Sequence, residues 1–116
     1  LTIESMKTAL EPQQNTPWMK WFLEYAPAPT IASVKIPVMA INGSKDMQVL
    51  AKSNLTAIRN LLKENPSGQN LIKEYPGLNH LFQHCQSGSP AEYYQIEETL
   101  APEVMQDIAE WINRLH

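Results

Sequence analysis

A strongly apolar stretch over residues 34–42 places the tightest constraint on the fold of this 116-residue chain. Its centre, Val38–Ile41, is apolar at every position, which is typical of a parallel strand that is covered on both faces. A glycine, Gly43, follows and favours a turn after the strand. Residues 71–75 have the pattern of a second short strand, bounded by a Pro-Gly pair. The two segments predict an α/β fold with a parallel pair of strands.

Helical patterns follow both strands. Residues 51–64 repeat apolar side chains at helical spacing, and Pro102 begins a final amphipathic helix. Residues 83–97 lie between the second strand and this helix and are predicted to form a polar loop. The order strand, helix, strand, helix predicts a βαβα unit with a right-handed crossover. Because two strands make a small sheet, we expect the unit to be the edge of a larger α/β domain. If the unit is stable alone, we expect it to cover its exposed strand edge by self-association.

The N-terminal part of the chain is predicted to be helical. Residues 2–10 are predicted to form a short amphipathic helix that Pro12 and the polar residues 13–15 end. Thr16 is the predicted N-cap of a second helix over 18–25. Two prolines in residues 27–29 predict an extended link to the first strand. The second helix carries four aromatic side chains that we expect to pack on the core, namely Trp18, Trp21, Phe22 and Tyr25.

The composition excludes several classes of protein. A formal net charge of −3 provides no basic surface for nucleic acid. No apolar run approaches the roughly 20 residues that a membrane span requires. Cys85 is the single cysteine, so the chain forms no internal disulfide. The chain begins at Leu1 without an initiator Met or a signal-peptide pattern, and we expect it to be part of a longer protein.

An acid and a histidine follow the two strands. Asp46 lies four residues beyond the first strand, and His80 lies five beyond the second. Because the carboxyl ends of parallel strands meet at one edge of a sheet, we expect these side chains to lie close together. There a carboxylate can accept the Nδ1–H of an imidazole, and Nε2 can then take a proton from a serine hydroxyl. Taken singly, each residue fits a structural role in a turn or loop, but their order favours the last two members of a Ser-Asp-His triad.

Two motifs resemble those of the α/β-hydrolase superfamily. Residues 37–49, PVMAINGSKDMQV, resemble its acid-bearing strand and turn, and residues 77–82, GLNHLF, resemble its histidine loop. The esterase and dienelactone-hydrolase-like branch, which is related to the serine peptidases, is the most similar. The resemblance extends from Trp18 to the C-terminus and implies that Asp46 is the triad acid and His80 the triad base.

The resemblance also implies a domain organisation and a substrate class. Residues 1–30 would be a helical segment leading out of a lid-like region, and residues 31–116 the C-terminal βαβα part of the hydrolase core. The substrate would be a small-molecule ester or another acyl compound, and no metal or organic cofactor is implied.

The nucleophile half of such an enzyme is absent from the sequence. There is no G-x-S-x-G pentapeptide, and neither Ser44 nor Ser53 has the flanking glycines of a nucleophile elbow. In addition, Leu50 stands where the family commonly has proline. We therefore expect a truncated serine hydrolase portion that is inactive alone and that contributes Asp46 and His80 to the full-length enzyme. A non-catalytic α/β interaction module and a serine peptidase of the same superfamily are the alternatives.

A second histidine and the cysteine lie close to His80 in the sequence. His80, His84 and Cys85 form an H-x3-H-C pattern, but the Glu of H-E-x-x-H and a further ligand cluster are missing. We therefore predict no metal site. Cys85 follows the histidine loop and not a strand-to-helix elbow, so we predict an ordinary thiol and not a nucleophile.

Overall fold

The computed structural model describes residues 2–116, except for the side chains of residues 13 and 14. It divides into two units, Leu1–Thr30 and Ile31–His116. The elements are helix α1 (Ile3–Gln14), α2 (Pro17–Glu24), α3 (Ala28–Ser33), strand β1 (Met39–Gly43), α4 (Ala51–Leu61), β2 (Leu71–Tyr75), a 3-10 helix (Pro90–Gln95) and α5 (Pro102–Asn113). In the part of the chain so described, no helix is long and apolar enough to cross a membrane.

The first unit contains two well-capped helices. Thr2 and Ser5 form a capping box at the start of α1. The Thr16 side chain accepts a hydrogen bond from the backbone N–H of Met19 and caps α2, as predicted. α1 continues past Pro12 to Gln14, so it is four residues longer at this end than predicted, and it ends within the predicted terminating segment 12–15. A proline in the last turn removes only one backbone hydrogen bond, and the N–H of Asn15 still bonds to the Glu11 carbonyl.

Two further expectations about this region were wrong. The aromatic side chains of α2 do not pack into a core, because Trp18 is 63% exposed and Trp21 is 58% exposed. They stack on one another instead, Trp18 on Phe22 and Trp21 on Tyr25. The proline-containing link is also not extended but forms α3, since Pro29 is the second helical residue, where its fixed φ fits a helix.

The second unit has a mixed α/β fold with a two-stranded parallel sheet. β1 pairs with β2 in the register Met39 with Leu71 through Gly43 with Tyr75. The predicted parallel pair is confirmed, and β2 has its predicted bounds. β1 starts later than predicted, at Met39, because Pro37 has no N–H for the ladder and the N–H of Val38 bonds instead to the Asn70 side chain.

The remaining elements follow the predicted order with small changes. α4 ends at Leu61, three residues earlier than predicted. The predicted polar loop contains the 3-10 helix, which Ser89 caps and Pro90 begins. α5 begins at Pro102 as predicted.

The buried core of the second unit lies beneath the segment that carries His80. Tyr75, Leu78, Ala101 and Val104 form its centre. Phe82 packs edge-on against Tyr75, with ring centroids 6.2 Å apart. This packing fixes the end of β2 and the beginning of α5 on either side of the histidine segment.

Candidate acid–base site

The turn after β1 is hydrogen-bonded to the segment after β2. The backbone N–H of Ser44 donates to the Tyr75 carbonyl at 2.8 Å, and that of Lys45 donates to the Leu78 carbonyl at 2.9 Å. The Ser44 hydroxyl accepts from the N–H of Gly77 at 2.8 Å. These bonds bring the carboxyl ends of both strands to one place, where Asp46 and His80 emerge.

Asp46 is 7% exposed and its carboxylate caps its own turn. Oδ1 accepts the backbone N–H groups of Gln48 and Val49, each at 2.8 Å. This is an Asx-type turn, the structural role that Asp46 fits when it is taken singly. The turn fixes the carboxylate and leaves Oδ2 directed at the second strand's loop.

His80 contacts that second oxygen. Its Nδ1 lies 2.9 Å from Oδ2 of Asp46. An ionised carboxylate can only accept, so Nδ1 is the donor and a neutral imidazole keeps its lone pair on Nε2. The His80 side chain is 34% exposed, so the ring is accessible to solvent while its partner is buried. A residue pair separated by 34 positions in sequence is thus joined by one hydrogen bond.

The ionised form of Asp46 is favoured in this environment. Burial opposes ionisation, but the hydrogen bonds from the N–H of Val49, from His80 and from the N–H of Gln48 outweigh it and lower the pKa of Asp46 below its ordinary value of 3.8. The carboxylate is therefore charged throughout the neutral pH range. It can fix the imidazole tautomer and stabilise an imidazolium.

The His80 segment is a tight loop built on Asn79, which is fully buried. The Asn79 side-chain oxygen accepts the N–H groups of Leu81 and Gln83, and its amide nitrogen donates to the Gln83 side chain. Phe82 closes the loop with φ of 58°, a left-handed conformation that is uncommon for a residue other than glycine. The core contact with Tyr75 holds Phe82 there.

An asparagine that the sequence did not suggest also contacts the acid. Asn42, at the end of β1, donates from Nδ2 to Oδ2 of Asp46 at 3.2 Å. Its Oδ1 accepts from Nδ2 of Asn54 on α4 at 2.8 Å. A polar residue ending an otherwise apolar strand is the one sequence feature that could have singled out Asn42.

The loop after His80 packs back on the acid turn. The Lys45 ammonium donates to the Gln86 carbonyl at 2.8 Å, and the Tyr93 hydroxyl donates to the Gln48 side chain at 2.7 Å. Gly88, with φ of 81°, lies against the backbone of Lys45, where no side chain would fit. Residues 85–95 therefore brace the turn that holds Asp46.

His84 and Cys85 bond to residues other than Asp46 and His80. His84 lies between two carboxylates, with Nδ1 2.8 Å from Glu98 and Nε2 3.2 Å from Glu103. The Cys85 thiol donates to the Gly77 carbonyl at 3.4 Å, and burial, with the Glu92 charge, raises its pKa and disfavours the thiolate. Within residues 2–116, no three His, Cys, Asp or Glu side chains form a group that could hold a metal ion.

A groove lies elsewhere on the second unit, between β2 and α5. Its volume is about 400 Å³, and its lining includes Leu71, Lys73, Trp111 and Arg114 but neither Asp46 nor His80. At its margin Asp107, which the sequence places on the last helix, bonds to Lys73 and to the Tyr75 hydroxyl. These contacts tie α5 to β2 and include neither Asp46 nor His80.

Comparison with protein-family models, with curated proteins and with solved structures gave no match.

Proposed function

We propose that this chain supplies the acid and the base of a Ser-Asp-His triad in a serine hydrolase that acts on carboxylic esters. The observation that carries the proposal is the 2.9 Å hydrogen bond from His80 Nδ1 to the buried carboxylate of Asp46. In support, the pair stands at the carboxyl ends of neighbouring parallel strands, where catalytic groups collect in α/β sheets. The resemblance of residues 37–49 and 77–82 to α/β-hydrolase motifs agrees with this assignment.

In this mechanism His80 transfers the protons. Its Nε2 takes the hydroxyl proton of a serine supplied by residues outside this sequence, as that oxygen attacks the ester carbonyl carbon. The imidazolium then returns the proton to the leaving alcohol. Water attacks the acyl-enzyme in the same way, which releases the acid and regenerates the serine. Asp46 holds the Nδ1–H tautomer and stabilises the positive charge on the ring.

The first test compares two lengths of the protein. We would assay hydrolysis of p-nitrophenyl acetate by the protein extended to its natural start and by the 116-residue chain under identical conditions. The proposal expects turnover by the extended form only. Absence of turnover in both forms, with other short acyl esters tested as well, would count against it.

The second test replaces the proposed base in the extended protein. His80→Ala should lower kcat by about 10³-fold or more, as is usual when a member of a triad is removed. His84→Ala is the matched control, because His84 is paired with Glu98 and Glu103 and not with Asp46. Equal activity of the wild type and His80→Ala would overturn the assignment. Cleavage of peptides in preference to esters would instead indicate a serine peptidase with the same two residues.

A non-catalytic interaction module is the second candidate function. The observation in its favour is the set of exposed apolar side chains on α2, where Trp18, Trp21, Phe22 and Leu23 are each more than half exposed. The open edges of a two-stranded sheet add a site for self-association. Sedimentation analysis of the 116-residue chain tests this candidate, which requires a stable oligomer or complex and no esterase activity in either length.

A further inference from the structure

Asn42 has a buried polar side chain that takes no part in the proposed proton transfers. It is 3% exposed, at the carboxyl end of β1. Its amide nitrogen Nδ2 lies 3.2 Å from Oδ2 of Asp46, the same oxygen that His80 Nδ1 reaches at 2.9 Å. Asn42 and His80 therefore share one carboxylate oxygen.

The other carboxylate oxygen is fully occupied by the backbone. Oδ1 of Asp46 accepts from Gln48 and Val49, so the carboxylate accepts four hydrogen bonds in all. An ionised carboxylate has about four lone-pair positions, so each oxygen accepts two hydrogen bonds. Rotation of the carboxylate would break several of these bonds together, so they hold Oδ2 in the direction of His80.

Asn54 fixes which end of the Asn42 amide faces the acid. Nδ2 of Asn54 donates to Oδ1 of Asn42 at 2.8 Å, so the oxygen end of that amide points toward α4. The nitrogen end then faces Asp46 and also donates to the Val49 carbonyl at 3.0 Å. A turned amide would place an oxygen against both the carboxylate and the Val49 carbonyl, which is unfavourable.

We propose that Asn42, oriented by Asn54, is a positioning residue that aims Oδ2 of Asp46 at His80. Its catalytic consequence rests on the proposed triad, but its effect on the acid–histidine hydrogen bond is a property of this chain and can be measured without activity. Helix α4 is thereby linked to the site, because Asn54 on this helix bonds to Asn42, and Asn42 bonds to the carboxylate.

The decisive experiment measures the tautomer of neutral His80 in the 116-residue chain by ¹⁵N-edited NMR. Asn42→Leu removes the amide while keeping its approximate size. Asn54→Asp replaces the donor to Asn42 with an acceptor of the same shape, which turns the Asn42 amide over or displaces it. Both variants should reduce the ratio of the Nδ1–H to the Nε2–H tautomer by about three- to tenfold, the change expected from the loss of one hydrogen bond.

The matched control is Asn65→Asp. Asn65 donates to the carbonyls of Val34 and Ile36, ahead of the start of β1, so this substitution also removes an amide donor to a structural partner. It should lower stability and leave the His80 tautomer unchanged. An unchanged tautomer ratio in folded Asn42→Leu or Asn54→Asp overturns the proposal, and so does an equal shift in Asn65→Asp. If Asn42→Leu does not fold, Asn54→Asp alone decides the question.

The extended protein supplies the catalytic measurement. Asn42→Leu and Asn54→Asp should lower kcat by about 10- to 100-fold with little change in KM, because a misdirected acid affects proton transfer and not substrate binding. A tautomer shift in the short chain, together with an inactive extended protein, would support the positioning role and reject the proposed hydrolase function. Full activity of both variants would reject the positioning role alone.

Discussion

A methyl group on Gly43 would lie 2.3 Å from the carbonyl oxygen of Leu78 and 2.6 Å from that of Asn79, so the end of β1 touches the backbone of the histidine loop. Both contacts are to main-chain atoms, which cannot turn away as a flexible side chain could. Gly43 therefore sets how closely the acid turn approaches the loop that carries His80.

Gly43→Ala is accordingly expected to separate the two segments. We expect a loss of about 1–3 kcal/mol or more in the free energy of unfolding, typical of overpacking against neighbours that cannot relax. Gly68→Ala is the comparison, because Gly68 has a φ of 67° but no atom near its missing side chain, so only a backbone cost of about 1–2 kcal/mol applies. Urea denaturation of both variants measures the difference. An intact Asp46–His80 hydrogen bond in Gly43→Ala, seen by NMR, would contradict this interpretation.

The order of elements in the second unit could be predicted because local chemistry and tertiary packing agree there. The apolar run of β1, the bounds of β2 and Pro102 at the start of α5 are strong local features. Two of the failures concern proline, which can end a helix or lie within its first or last turn. Sequence alone did not distinguish these cases at Pro12 and Pro29.

The proximity of Asp46 and His80 could be predicted because parallel strands deliver their carboxyl ends to one edge. The contacts of the surrounding asparagine side chains could not be predicted. Asn42, Asn54 and Asn79 act through contacts whose geometry depends on how α4 and the histidine loop pack. Likewise, the exposure of Trp18 depends on what lies around the helix and not on the pattern within it.

The ionisation of Asp46 should make the fold sensitive to acid. Because its folded-state pKa is lower than its ordinary value of 3.8, the carboxylate contributes stability that is present above the unfolded pKa and is lost as the pH falls through the folded pKa. Asp46→Asn lacks this contribution. We expect the wild type to have the larger free energy of unfolding at about pH 7. The difference in free energy of unfolding between the wild type and Asp46→Asn should narrow below about pH 4. Urea denaturation across this range measures the difference, and a gap that widens in acid would be inconsistent with a lowered pKa.

The buried amide of Asn79 should be necessary for the histidine loop. Asn79→Ala leaves the backbone N–H groups of Leu81 and Gln83 without their side-chain acceptor, at a cost of about 1–3 kcal/mol for each group that stays unpaired. Asn60→Ala, on the exposed side of α4, should change stability by less than about 0.5 kcal/mol. Thermal or urea unfolding gives both values. Similar stabilities for the two variants would show that the loop does not depend on Asn79.

His84 should stabilise the protein mainly at low pH. The hydrogen bond from His84 to Glu98, opposed by slight burial and assisted by the charges of Glu98 and Glu103, raises the pKa of His84 above its ordinary value of 6.5. A raised pKa means that the contribution is complete below the unfolded pKa and is lost as the pH rises through the folded pKa. His84→Gln should therefore be less stable than the wild type at about pH 5 and similar to it at about pH 9.

Glu98 is the partner that makes this last prediction specific. Glu98→Gln should remove the larger part of the pH-dependent difference and leave the smaller part that comes from Glu103. The two substitutions should be less than additive, because the largest contribution to the His84 pKa comes from the hydrogen bond that His84 and Glu98 share. The measurement is a double-mutant cycle: the free energies of unfolding of the wild type, His84→Gln, Glu98→Gln and the double variant are determined at several pH values. A difference between the wild type and His84→Gln that stays constant from acid to alkaline pH would show that His84 acts through packing and not through its charge.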